Sequence, residues 1–344
     1  MAQQPDLARY SRQIVFPEMG EAGQRALLNA SVTLVGCGAL GTAIANLIVR
    51  AGVGRLVIAD RDFVELNNLQ RQTLFDESHL ARHLPKAIAA AERLRAINSE
   101  VEIRPHVTDV NPTNVELLVN GADVVLDGSD NLEVRYLIND ACVKLGVPWV
   151  YAAVIGSSGM TATILPGETA CLRCLFPDVP APGSIPTCET AGILGSVVQV
   201  IAAIAVAEGI KILGGKTNTL NRGLIAVDVW DHTYERFESA GRRPDCPACG
   251  LGRFDFLNAE MGSRTTSLCG RNAVQISVPG TGPLDLVEMA RRLQAVGEVT
   301  VNEYLLRLAV EGHEITLFPD ARAIVKGSGD EAVARTLYAR YVGI

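Results

Sequence analysis

Four cysteines fall in two short pairs, Cys171-Leu172-Arg173-Cys174 and Cys246-Pro247-Ala248-Cys249. Each pair spans a turn, and four thiolates can close a tetrahedral shell around a zinc ion with no open position for water. Such a site is structural. A redox pair and ordinary free thiols are the alternatives, but neither pair opens a helix in a βαβ setting. A second group is Gly36-Cys37-Gly38-Ala39-Leu40-Gly41, a GxGxxG that follows an apolar run and opens a helical pattern. Its glycines permit a tight turn and let backbone N–H groups and a helix N-terminus approach phosphate. Asp60 ends the next apolar run, about 20 residues on, where a carboxylate can accept from a ribose. Nucleotide binding follows; NAD and ATP both satisfy this fingerprint.

The next segment reads Asp60-Arg61-Asp62-Phe63-Val64-Glu65-Leu66-Asn67-Asn68-Leu69-Gln70-Arg71-Gln72, and Lys86 stands soon after it. A triphosphate has more use for such a polar loop than a dinucleotide does. Arg71 can contact phosphate in a bidentate way and Lys86 as a point charge. Asn68 can fix a phosphate or an attacking carboxylate. Asp127-Gly128-Ser129-Asp130-Asn131 lies just past another apolar run, at a strand end where open α/β sheets bind ligands. Asp130 is a candidate magnesium ligand; the other reading is that Asp130 or Asn131 caps the following helix. Cys188 stands alone at the end of a Pro-rich stretch. It has two readings, a covalent role with an activated acyl group or a structural one. Cys37, Cys142 and Cys269 read as small buried hydrophobes. The histidines, including His79, His83 and His106, read as surface residues because no motif frames them.

The elements that must position these residues alternate in the first half. Strands are predicted at residues 32–35, 56–59, 101–104, 124–126 and 149–154. Helices are predicted at 42–51, 86–97, 114–119 and 133–145. This is an α/β pattern, a Rossmann-like doubly wound sheet. After Ile164 come the Pro-rich stretch, an apolar helix over 193–213, and strands at 224–229 and 234–238. A small α+β module should follow, with strands at 273–278, 301–308 and 314–318 and helices at 284–296 and 331–341. The expected division is 1–262 for an ATP-binding domain with its zinc site and 263–344 for the small module.

Composition narrows the class. The chain has 344 residues and a net charge of −7, which argues against a nucleic-acid binder. The first residues have neither an apolar signal core nor an Arg-rich transit pattern, so a cytoplasmic location is expected. In that compartment eight cysteines point to metal or catalysis over disulfides. Residues 191–207 carry no charge, Glu189 lying just before and Glu208 just after; Gln199 interrupts a run shorter than the ~20 residues of a membrane span. It is expected in a core or a subunit interface, not in a membrane.

Together, Arg9-Tyr10-Ser11-Arg12-Gln13, the residues 36–41 loop, Asn68-Leu69-Gln70-Arg71-Gln72, Pro85-Lys86, Asp127 to Asn131 and the two CxxC pairs resemble the ThiF/MoeB/HesA group, relatives of the ubiquitin-activating enzymes. The resemblance spans residues 9–250. It implies ATP-dependent adenylation of the C-terminal glycine of a ubiquitin-like sulfur-carrier protein, with release of pyrophosphate, as in thiamine or molybdopterin biosynthesis. It implies that Asp60 binds ribose, that Asn68, Arg71 and Lys86 handle phosphates, and that Asp130 binds magnesium. Gly36, Gly38, Gly41, Asp62 and Asn131 complete the expected nucleotide site. Arg12 would reach into a partner subunit's site, making the active form a homodimer. The lack of a rhodanese-type Cys loop makes a separate sulfur donor protein the expectation. One departure stands out: relatives often have Gly shortly before the lysine, and this chain has Arg82-His83-Leu84-Pro85.

Overall fold

The computed structural model describes residues 7–177, 191–239, 241–258, 264–268, 272–277 and 284–342. The chain divides into two compact units, Met1–Val179 with Ile193–Ala259, and Pro180–Gly192 with Glu260–Ile344.

The first unit is built on strands β1 (Ser31–Val35), β2 (Arg55–Asp60), β3 (Glu102–Val107), β4 (Val124–Asp127), β5 (Trp149–Ile155), β6 (Ser158–Ile164), β7 (Leu224–Asp228) and β8 (Thr233–Phe237). They form one sheet in the order β3-β2-β1-β4-β5-β6-β7-β8. The first five are mutually parallel, and β6, β7 and β8 add as an antiparallel meander. β1 and β4 are neighbours whose connections leave in opposite directions, the crevice where open α/β sheets take ligands.

Its helices are α1 (Ser11–Ile14), α2 (Gly20–Asn29), α3 (Ala39–Ala51), α4 (Glu77–Ala81), α5 (Lys86–Ile97), α6 (Val115–Val119), α7 (Leu132–Leu145), α8 (Leu172–Leu175) and α9 (Gly195–Leu213). Side chains alternate across a strand, and β4 shows what lies on each face. Val125 joins the cluster formed with Val115, Val119, Ile138 and Trp149, so α6 and α7 cover that face. Leu126 meets Gly209 of α9, where an added Cβ would come within 3.2 Å of it. α9 therefore covers the other face, packed beside α3. The sheet is wound on both sides, as its sequence pattern predicts.

α9 is long and apolar enough to cross a membrane. Here its Val197, Val198, Ile201, Ala202, Ala205 and Val206 are buried against the unit's own core. Its one buried acid, Glu208, accepts from Thr163 Oγ1 at 2.8 Å, from Lys211 Nζ at 2.6 Å and from the Asn221 N–H at 2.9 Å. A charge can be buried when it is satisfied in this way.

The second unit is a six-stranded antiparallel sheet with two helices. Its strands are β9 (Arg264–Leu268), β10 (Ala273–Ser277), β11 (Glu298–Val301), β12 (Leu306–Val310), β13 (His313–Leu317) and β14 (Ala323–Lys326), in the order β11-β12-β13-β14-β10-β9. α10 (Leu286–Leu293) and α11 (Glu331–Tyr341) cover one face, with Met289, Leu293, Leu337 and Tyr338 packed on Val274, Leu308, Ile315 and Val325.

Several expected elements need correction. Residues 301–308 are not one strand. β11 stops at Val301, and the Asn302 side chain accepts from the Tyr304 and Leu305 N–H groups, each at 2.9 Å. That Asx turn reverses the chain into β12. α10 begins at Leu286, because Asp285 is the cap that accepts from Val287 and Glu288. His79 is not a surface residue: it is 6% exposed, and its Nδ1 accepts the Asp76 N–H at 3.1 Å at the start of α4.

Candidate functional site

β1 ends at Val35, and Gly36 turns the chain at φ +87°, a region glycine enters without steric cost. A Cβ on Gly36 would lie 2.6 Å from the Gly128 carbonyl oxygen; one on Gly128 would lie 2.7 Å from Gly41 Cα. Both distances are shorter than side-chain carbons tolerate. The loops after β1 and β4 thus touch backbone to backbone, and Gly36, Gly41 and Gly128 make that approach possible. Gly38 differs. Among the described residues, an added Cβ there meets only Gln72 Nε2, at 3.9 Å. It is the N-cap of α3 and offers no side-chain cap to the first turn.

Asp60, at the end of β2, accepts from the Cys37 N–H at 2.6 Å and from the Asp62 N–H at 2.7 Å. One carboxylate oxygen ties down the glycine loop, and the other turns the chain toward Asp62. Burial raises the Asp60 carboxyl above the ordinary range, and the nearby Lys86 ammonium opposes the rise. Lys86, the first residue of α5, is 3% exposed. Its backbone N–H donates to the Asp62 carbonyl at 2.8 Å, and its Nζ donates to Asp62 Oδ2 at 3.0 Å. The loop leading to it departs from a glycine-containing pattern by placing His83 at φ +49°. A histidine there adopts the left-handed turn that glycine would take more cheaply, and Lys86 still reaches Asp62.

The polar segment forms two tight turns. Asn68 is buried, with Oδ1 accepting from the Glu65 N–H at 3.2 Å and Nδ2 donating to Asn67 Oδ1 at 2.9 Å. Arg71 donates to the Asn67 carbonyl at 2.6 Å. The N-terminus of α9 abuts this turn, since a Cβ on Gly195 would sit 3.4 Å from the Gln70 carbonyl oxygen.

Past β4, Asn131 is the N-cap of α7 and accepts from the Val134 N–H at 3.2 Å. Asp130 beside it is exposed and is not the cap. Beneath them is an ion pair that sequence reasoning missed. Asp127, fully buried, accepts from the Ser129 N–H and Oγ, and its Oδ2 lies 3.3 Å from Arg135 Nε. Arg135 also donates to the Ser129 carbonyl at 2.7 Å and lies over the Tyr151 ring. The only advance signal was an arginine within one turn of a strand-end acid loop. Arg12 is exposed on α1 and makes no hydrogen bond or ion pair among the described residues. Cys188 lies outside the described residues.

The two CxxC pairs converge. The four Sγ atoms of Cys171, Cys174, Cys246 and Cys249 lie within 4.8 Å of one another. Cys171 is 3.6 Å from Cys246, Cys174 is 3.4 Å from Cys249, and Cys171 is 3.9 Å from Cys174. Zinc–sulfur bonds of ~2.3 Å in a tetrahedron put sulfurs ~3.8 Å apart, so the cluster fits that ion. The Arg243 N–H donates to Cys174 Sγ at 3.4 Å, a bond that favours thiolate. Burial pushes Cys174 up to about 11, and Cys171 higher still. α7 holds the first pair and the segment that follows the second. Asn139 Oδ1 accepts from the Leu172 N–H at 2.8 Å, and Asp140 Oδ2 accepts from the Phe256 N–H at 3.0 Å.

The family model described as "ThiF family" matches residues 10–248. A Bacillus subtilis (strain 168) protein named sulfur carrier protein ThiS adenylyltransferase is 42% identical over 337 residues, 97% of this chain and 99% of that protein. A Haloferax volcanii protein named SAMP-activating enzyme E1 is 40% identical over 251 residues, 73% of this chain and 92% of that one. Among solved structures, E. coli MccB with ATP superposes with a TM-score of 0.61 at 25% identity, covering 71% of this chain and 75% of that one.

Proposed function

The chain belongs to the ThiF family, and we infer from that premise that it is an adenylyltransferase that uses ATP to activate the C-terminal glycine of a ubiquitin-like sulfur-carrier protein. The observation that carries this reading is the 42% identity to a sulfur-carrier adenylyltransferase along essentially the full length of both chains. The glycine loop, Asp60 and buried Lys86 at one sheet crevice support it.

The reaction joins the carrier's terminal carboxylate oxygen to the α-phosphorus of ATP. The bond from that phosphorus to the α,β-bridging oxygen breaks, and its electron pair leaves with pyrophosphate. A carboxylate is a weak nucleophile that must approach a polyanion. Positioning and positive charge therefore supply the catalysis, and no general base is needed. In our reading Asp60 accepts from the ribose, and the open backbone of Gly36, Gly38 and Gly41 receives the nucleotide, flanked by Asp62 and Asn131. Asn68, Arg71 and Lys86 bind the phosphates, and Lys86, already desolvated, bears a charge that bulk water screens little. Asp130, freed from helix capping by Asn131, fits a magnesium site. That ion would offset phosphate charge.

Arg12 is exposed, and we assign it to the nucleotide site of a second subunit, which makes the working form a homodimer. Zinc is assigned to Cys171, Cys174, Cys246 and Cys249 as a structural ion. The sulfur would come from a separate donor protein, and a cytoplasmic setting suits free thiols held by metal. We place the boundary between the catalytic domain and the small module near residue 262. The direct test is exchange of labelled pyrophosphate into ATP, which should require a carrier ending in Gly-Gly and fail when that terminus is amidated. Carrier-independent exchange, or none with any such carrier, overturns the reading.

A further inference from the structure

Gln72 has no role in the reaction as derived above, yet it is among the least comfortable side chains in the unit. It is 2% exposed, and its Oε1 is shut away from solvent with no hydrogen-bond partner. A buried amide oxygen in that condition destabilises the fold, and an apolar side chain of the same shape would not. Nothing local requires the amide. The backbone here is held without it, since the Gln72 N–H donates to the Asn68 carbonyl at 2.9 Å and the Phe75 N–H donates to the Gln72 carbonyl at 3.2 Å.

The other end of the amide shows where it is directed. Nε2 is the one heavy atom among the described residues that approaches the position of a Gly38 Cβ. Gly38 is the N-cap of α3, a helix of 13 residues whose first turn has no side-chain cap. An uncapped helix start presents backbone N–H groups and a positive dipole end, which favour an anion. Two independent features thus converge on the space over Gly38: unused helix N–H groups and the N–H2 of a buried amide with no internal partner.

We propose that Gln72 is a nucleotide-binding residue whose side-chain amide donates to a phosphate oxygen of ATP held over Gly38, at the N-terminus of α3. This rests on the adenylyltransferase reading. Oε1 faces inward and Nε2 faces Gly38, so the ligand needs an acceptor there. Among the parts of a nucleotide, phosphate oxygens are the charged acceptors, and hydrogen bonds to charged acceptors are the stronger kind. The unpaired Oε1 is then the structural cost of holding the donor in place before ATP arrives.

The test compares Gln72→Met and Gln72→Glu with the wild type in full-length protein. Three readouts are used: thermal unfolding without nucleotide, calorimetric binding of magnesium-ATP, and pyrophosphate exchange with KM for ATP and for the carrier measured separately. The Met side chain matches the glutamine in length and removes the unpaired oxygen. Its unfolding temperature without nucleotide should equal or exceed that of the wild type. Its Kd and KM for ATP should rise roughly tenfold to a hundredfold, the scale of a hydrogen bond to a charged group, while KM for the carrier stays unchanged. Gln72→Glu should bind ATP more weakly still, because a carboxylate would face the phosphates.

A purely structural Gln72 gives a different pattern. Gln72→Met would then unfold at lower temperature, or fail to fold, and ATP affinity in whatever folds would match the wild type; either result overturns the proposal. A raised carrier KM with unchanged ATP binding also overturns it. If the wild type binds ATP but shows no carrier-dependent exchange, the adenylyltransferase reading fails, and the ATP-binding comparison still decides the role of Gln72.

Discussion

Lys86 Nζ lies 3.0 Å from Asp62 Oδ2, and the lysine is held with 3% of its surface exposed. The pair fixes the position of the ammonium. Lys86→Ala should lower pyrophosphate exchange at least about a hundredfold, the scale for losing one transition-state electrostatic contact. Asp62→Ala should behave differently, because it leaves a buried ammonium without its carboxylate. Urea unfolding should show a loss of about 3 kcal/mol, the low end for breaking a buried pair, since Asp62 is partly exposed. Undiminished exchange in the Lys86 variant would remove that residue from the site.

Asp140 gives a pH signature. Burial raises its carboxyl from the ordinary range to about 6. The folded state thus holds this proton over a window where the unfolded chain, with a pKa near ~4, has lost it. Stability from this group is largest below that window and declines as pH rises from about 4 to about 6. At pH 7 the charged form costs on the order of 2–3 kcal/mol. Asp140→Asn keeps an oxygen for the Phe256 N–H and removes the titration. Urea midpoints should show the variant more stable than the wild type at pH 7, with the difference closing near pH 4. An equal difference at both pH values refutes the assignment.

Zinc content is measurable directly. One equivalent per chain is expected from the four converging thiols. Cys171→Ser should release the ion and lower the unfolding temperature, because a structural metal contributes to folding free energy. Less than half an equivalent in well-folded wild type counts against the site.

Arg12 tests the subunit arrangement. Arg12→Ala and Lys86→Ala homodimers should each be nearly inactive. Mixing them under conditions of subunit exchange should restore activity, since one site in each heterodimer has both residues intact. If mixing restores nothing, Arg12 acts in its own chain or has no part in the reaction.

The nucleotide unit was legible in sequence where apolar strands alternate with helices. It was obscure where strands are built from small and polar residues. β6 reads Ser158-Gly159-Met160-Thr161-Ala162-Thr163-Ile164, without the branched run that marks β1 or β4, because Thr163 faces the acid Glu208 and Gly159 makes room for Ile201 of α9. The pair Asp76 and His79 was hidden for a related reason: its meaning is a cap, and nothing in the surrounding pattern announces it. At the candidate site, the close approach made by Gly36 and Gly41 and the strand-end position of Asp60 follow from their spacing in the sequence. Gln72, Arg135 and Asp140 could not be read there. What matters about each is a contact with a residue distant in sequence or a missing partner, and neither is encoded in local pattern. In the small unit the helices and central strands were legible. The Asn302 turn was not, because Val301, Tyr304, Leu305, Leu306 and Leu308 make the segment read as one apolar run.

The cysteine cluster also constrains when the fold can be completed. Cys171 and Cys246 are 75 residues apart in the chain, with β7, β8 and α9 between them. At a ribosomal rate of about 5–20 residues per second, the first pair waits roughly 4–15 s for the second. During that interval two thiols are exposed to oxidation, and a metal would have only half its shell. By the time the last cysteine emerges, every strand of the nucleotide-binding sheet has been synthesised. An ion held by all four thiols could therefore close its shell only after the whole sheet has been synthesised.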